Sequence, residues 1–326
     1  MNNIDIRDSA KLIGKVRLGN NVYIAQGAIL RSTNDSLTIG NSSWVLENSV
    51  IIGTPENPTK VGQKTIFGHK CVAIGAEIGD LCEIGNSTIF LPGCKVGNMC
   101  IFGEGTIIPA NTIIPDNSVV VGRPGRIIRK LTEDDKAMIQ RMRGGNIDLT
   151  NFAENIIELS EEEISMGKLY NYGDKYPIID DSAYLFESAE ATGDVQIGKN
   201  SVIGAGVRIV GDSHGPIKIG NNVHILENSV LHLLPNNELI IKDNVVIGPN
   251  SMIHGTIIGE NTIIESGVII SDNSVIGENC LIKSGTLIKQ RDVFEDNTVI
   301  EGFPGKAIGK LDELQERPDW VIRELR

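Results

Sequence analysis

From residue 12 onward the chain repeats a six-residue step in which an aliphatic residue is followed by a small one. LIGKVR, LGNNVY and IAQGAI open the series, and IGAE, IGDLCE, IGNSTI, VGNMCI and FGEGTI continue it. The pattern resumes in the block that starts at 191, with IGKNSV, IGAGVR, IGNNVH, IGENTI and IGENCL. A period of six fits neither a helix face nor a simple alternating strand. It predicts short strands joined by recurring tight bends: the aliphatic residue points inward and the small one leaves room for the turn. Asn often follows, and Asn and Gly tolerate the left-handed backbone that such a bend needs. Three strands make one triangular coil, and stacked coils bury a continuous aliphatic column.

The blocks are copies of each other. Residues 217–270 match a stretch 180 positions earlier without a gap, and NSVVVGRPGRIIRKL (117–131) recurs as NTVIEGFPGKAIGKL (297–311). The pattern therefore divides the chain into a first β-helix over 1–131, a helical linker over 132–180, a second β-helix over 181–311 and a tail over 312–326. In the linker, Thr132 reads as an N-cap, acidic residues fill the first turn, and Gly144-Gly145 stops the helix. A second helical piece is expected over about 152–170, with Glu161, Glu162 and Glu163 on a solvated face. The tail is expected to be helical.

Composition agrees with a coiled β fold. There are 36 glycines in 326 residues, and aromatics make up only 4%, which suits small repeated core layers. The net charge of −12 argues against a nucleic-acid partner, because phosphate binding needs a basic surface. No run approaches the ~20 apolar residues of a membrane span, and the N-terminus has no apolar signal core. The expectation is a cytoplasmic protein. Cys71, Cys82, Cys94, Cys100 and Cys280 show no Cys-x-x-Cys pair and read as small buried hydrophobes.

Four of the five histidines lie in the second copy: His214, His224, His232 and His254. The remaining one, His69, stands where the second copy has Pro249. The repeats, together with ENSVLH and IGPNSMIHG, resemble the hexapeptide-repeat family and within it the gamma-class carbonic anhydrases. The resemblance implies left-handed parallel β-helices, a hand that reverses the usual crossover rule. It covers nearly all of both copies. In that family three histidines spaced H-x16-H-x4-H bind a metal between neighbouring β-helices of a trimer, the middle one coming from the neighbour. The second copy presents His232, Pro249 and His254 at these positions, and the first presents Ile52, His69 and Ile74. Each ligand position is thus filled once across the duplication, and the division follows the interface.

The resemblance therefore implies a zinc site made by His69, His232 and His254 where a first-copy face meets a second-copy face, in a homo-oligomer built on a trimer and acting on a small molecule. Three neutral imidazoles leave a fourth tetrahedral position open for water, and zinc lowers the pKa of that water to about 7. The family's paired Arg and Asp are divided as well, with Arg31 in the first copy and Asp212 in the second. Glu227 and His224 are candidate proton-handling groups. The glutamine that precedes the first ligand by six residues is replaced by Leu46 and Leu226. Those leucines cannot orient a hydroxide, so a metal-polarised carbonyl reaction stays open beside carbon dioxide hydration.

Two other functions fit this fold class. One is a CoA-dependent acyltransferase, in which a histidine is the general base and Arg123, Arg126, Arg129 and Lys130 hold the phosphates of acyl-CoA. The other is a non-catalytic assembly scaffold whose histidines are dispensable.

Overall fold

Stacked coils with three faces each make up both halves of the chain. A computed structural model describes residues 3–152, 154–158, 167–212 and 215–322. Two compact units form, 1–160 and 161–326. In unit 1, strands such as Trp44–Val45, Ile66–Phe67 and Glu83–Ile84 stack in parallel on the first face. Ile29–Ser32, Val50–Gly53 and Val72–Ile74 stack on the second, and Leu37–Ile39, Thr59–Val61 and Glu77–Ile78 on the third. Unit 2 repeats the plan with three sheets of parallel strands, one of them closed by an antiparallel pair, Thr298–Gly302 with Gly305–Lys310. Ile84 lies opposite Phe102, and Ile264 opposite Ile282, which is one coil of three hexads. Ile52 lies opposite Ile74 and Leu231 opposite Ile253, so these coils carry extra residues, placed in loops 54–58 and 232–238.

The inward aliphatic of each hexad builds the core. In unit 2, Ile225, Ile247, Ile264 and Ile282 stack at no measurable exposure. Each such side chain contributes about 1.5–3 kcal/mol on burial. Unit 1 adds aromatic steps, with Phe67, Phe90 and Phe102 in edge-on contact. The glycine of the motif is needed where coils approach closely: a Cβ at Gly259 would lie 2.4 Å from the backbone of Gly277. At the corners, Asn244, Asn261, Asn279 and Asn297 hold positive φ of 55–62°. Their side chains form a ladder from coil to coil, at 3.0, 3.1 and 3.3 Å. All five cysteines are free and buried, and burial pushes the Cys71 and Cys94 thiols up to about 12.

The helix expected after Thr132 spans Glu133–Met142, with a capping box between Thr132 and Asp135 and Gly144 at φ 63°. Arg143 beyond it is paired with Glu83 and donates to the carbonyl of Lys64 at 2.7 Å. Among the described residues of the second expected helical piece no helix forms. Asn155–Glu158 is a strand paired antiparallel with Lys15–Leu18, and Lys168–Tyr170 is a strand of unit 2. The exposed edge of the third face offers unpaired N–H and C=O groups, and Ile156-Ile157 satisfies them as an extended β-branched pair. Glu161, Glu162 and Glu163 lie outside the described residues. The described part of the tail is not helical either: Trp320, Val321 and Ile322 are buried in irregular structure. Among the described residues no helix is long and apolar enough to cross a membrane.

Candidate metal centre

Because coils stack in register, residues that follow equivalent strands form a column at one corner. In unit 2 that column carries Asp212, His232, His254 and Asp272. His232 follows Val230–Leu231 and donates its amide to the carbonyl of Ile253 at 3.0 Å. His254 follows Met252–Ile253 and donates to Ile270 at 2.9 Å. The imidazoles stand edge to face with ring centroids 5.8 Å apart.

A carboxylate flanks each ring. Nε2 of His232 lies 3.4 Å from Oδ2 of Asp212, and Nδ1 of His254 lies 3.1 Å from Oδ2 of Asp272. Asp272 is buried, and its Oδ1 also accepts from the amides of Leu234 and Gly255 and from Nδ2 of Asn237, at 2.9, 3.2 and 3.2 Å. Burial raises the proton affinity of this carboxyl. The hydrogen bonds from Leu234, Asn237 and His254 outweigh it and hold the group below the ordinary carboxylate range.

In unit 1, His69 lies in the turn after Ile66–Phe67. Its amide donates to Oδ1 of Asn86 at 2.7 Å, and its Nδ1 lies 2.8 Å from Oε2 of Glu47. Its side chain is 53% exposed.

The remaining predicted residues are dispersed. Glu227 is fully buried beside Leu226, which is also fully buried. Arg31 is buried in the Ile29–Ser32 strand of unit 1, and Asp212 joins His232 within unit 2. His224 is buried, and its Nε2 accepts from Nη1 of Arg317 at 2.8 Å. Burial, and then the charge of Arg317, push its pKa down to about 4. Burial and Arg317 both favour the neutral ring. His214 lies outside the described residues. Asp272 was missed by motif reading. It lies 18 residues after His254, one coil further on, so coil length was the signal that pointed to it.

The donor chemistry suits a zinc-class ion. His254 and His69 each set Nδ1 on a carboxylate, which in a neutral ring leaves Nε2 as the lone pair, the usual arrangement of metal-binding imidazoles, whereas His232 turns Nε2 to Asp212. Among the described residues no group of three or more His, Cys, Asp or Glu is placed so that it could hold a metal ion by itself. Unit 2 therefore brings together two of the three histidines that the family resemblance points to.

Residues 58–91 and 194–231 match the hexapeptide repeat of succinyl-transferase, and 214–308 match the C-terminal domain of GMPPB. A carbonic anhydrase of Geobacillus kaustophilus (strain HTA426) is 46% identical over 145 residues, which cover 44% of this chain and 79% of that protein. The mitochondrial gamma carbonic anhydrase 1 of Arabidopsis thaliana is 32% identical over 158 residues, 46% of this chain and 58% of that protein. The chain thus spans little more than half the length of the plant relative. Among solved structures, a hexapeptide transferase family protein from Anaplasma phagocytophilum is 28% identical, with a TM-score of 0.43, over 45% of this chain and 86% of that one. The repeats in register, the paired imidazoles at one corner and the bacterial relative at 46% identity together show that this chain belongs to the gamma-class carbonic anhydrase-like branch of the hexapeptide-repeat family, with its left-handed β-helix present twice.

Proposed function

We propose that the chain is a metal-dependent enzyme whose zinc is held by His232 and His254 of one copy and His69 of a neighbouring copy in a homo-oligomer. The observation that carries this reading is the imidazole pair, 5.8 Å apart, with each ring beside a carboxylate. His69 stands at the complementary ligand position and is exposed enough to reach outward. Zinc at such a site supplies a Lewis acid and activates water at neutral pH. The chain's own part is to aim the imidazoles through Asp212, Asp272 and Glu47. Leu46 and Leu226 offer no hydrogen bond to an attacking water, so the reading favours lyase or hydratase chemistry on a small carbonyl compound that does not depend on an orienting amide.

Elemental analysis of protein purified without chelator tests this. About one transition metal per chain is expected in the wild type, and its loss in His232→Ala. Wild-type protein free of transition metal sinks the reading.

An acyltransferase remains the second reading, because the matching repeat is that of succinyl-transferase. Its proposed phosphate-binding cations are partly engaged: Arg129 is paired with Asp135, and Nε of Arg123 donates to the carbonyl of Gly105 at 2.8 Å. Heat on titrating acetyl-CoA into zinc-free protein would favour it.

A further inference from the structure

We infer that Asp272 is a positioning residue that sets the tautomer and aim of His254 and ties the 233–238 loop to the imidazole pair. The metal it serves rests on the reading above; the tautomer does not.

The geometry is that of a four-way clasp. Oδ2 faces Nδ1 of His254 at 3.1 Å. Oδ1 gathers the amide of Gly255, next to that histidine, with the amide of Leu234 and Nδ2 of Asn237 in the loop that follows His232. Asn237 closes the loop from its other side by donating to the carbonyl of Gly255 at 2.7 Å. An ionised carboxylate only accepts, so Nδ1 must carry its proton and Nε2 is left as a lone pair. The side chain of Asp272 is 5% exposed, and water does not compete with this contact. One carboxylate thus fixes the ring of His254 and the loop entered through His232.

The first copy is an internal control. At the positions 180 residues earlier it has Ile74 for His254 and Pro92 for Asp272, while Asn57 and Gly75 still match Asn237 and Gly255. There the loop closes on itself, with the amide of Thr54 donating to the carbonyl of Asn57 at 3.0 Å. Carboxylate and imidazole are absent together, while the loop residues persist without them. That is the pattern of a carboxylate that serves the imidazole; one needed for the loop alone would have stayed with it.

The test uses the full chain in two forms. Metal-free protein labelled with ¹⁵N-histidine, at a pH where the rings are neutral, reports the tautomer by long-range ¹H–¹⁵N spectra. Wild type is expected to hold His254 as Nδ1–H. Asp272→Ala should shift it towards Nε2–H, and Asp272→Asn, which keeps an acceptor oxygen, should retain most of the original form. Zinc affinity, measured by competition with a chromophoric chelator, should fall about 10- to 100-fold in Asp272→Ala, with the far-ultraviolet circular dichroism of the coils unchanged. An unaltered tautomer in Asp272→Ala, or zinc affinity within about twofold of wild type, overturns the inference. If wild type takes up no zinc at all, the proposed enzyme fails while the tautomer still decides the part played by Asp272.

Discussion

Nη1 of Arg317 lies 2.8 Å from Nε2 of His224, and Nη2 of the same guanidinium reaches the carbonyl of Asn222 at 2.5 Å. The C-terminal segment is thereby latched to the strand His224–Ile225. A guanidinium only donates, so this contact needs His224 neutral. Its folded pKa, near 4, is below the 6.5 of an unfolded histidine. Between those values the unfolded chain binds the extra proton, so stability is full above about pH 6.5 and is lost as pH falls towards 4. Urea unfolding of unit 2, followed by the fluorescence of buried Trp320, should show falling midpoints from pH 7 to pH 5. His224→Phe should flatten that dependence, and an equally steep slope in the variant would refute the assignment.

The helix cap gives a second prediction. Thr132 and Asp135 exchange hydrogen bonds, with the Asp135 amide donating to Oγ1 at 3.2 Å and the Thr132 amide donating to Oδ2 at 2.7 Å. Arg129, followed by the Thr132 amide, holds the Asp135 carboxyl well below the usual range. Thr132→Ala should cost the helix about 1 kcal/mol, read as faster amide exchange over 133–142 with the coils unaffected.

How much of this was legible in the sequence follows from what is local. The hexad repeats at fixed spacing, so its core residues, its Asn corners and its coil length could all be read directly. Thr132 with Asp135 is a signature within four residues, and the structure has the helix there. The strand at Asn155–Glu158 was hidden because its cause is the open edge at Lys15–Leu18, more than 130 residues away in the chain. Its Glu-rich surroundings read as a helix by propensity alone. His232 and His254 were visible as ligand types at a known spacing. Their carboxylate partners were not, because Asp272 belongs to no motif and only the stacking of coils brings it to His254. The surroundings of His224 were hidden for a similar reason, since its partner Arg317 lies 93 residues on.

The Asn ladder yields a prediction that separates backbone from side chain. Asn261 sits at φ 57° and bonds both Asn244 and Asn279. Alanine would lose both rungs and keep a side chain in the left-handed region, at a cost of about 1–2 kcal/mol for the backbone alone. Glycine loses the same rungs but tolerates the bend. Asn261→Ala should therefore lower the unfolding midpoint of unit 2 more than Asn261→Gly. The reverse order would mean that the rungs, and not the bend, select asparagine.

The proposed division of the ligands predicts complementation. His69→Ala removes the contribution of unit 1, and His232→Ala removes one from the corner where His232 and His254 meet. Each variant alone should bind little zinc. When the two are unfolded, mixed in equal amounts and refolded, a chain with an intact unit 1 can meet one with an intact unit 2. If the site forms between copies, random assembly restores about a quarter of the sites. Zinc content of the mixed assembly, compared with each variant refolded by itself, reads this directly. Recovery near a quarter requires ligands from two chains, because neither variant carries all three histidines. No recovery, with wild type regaining its metal under the same refolding, would exclude a shared site between copies and confine any zinc binding to a single chain.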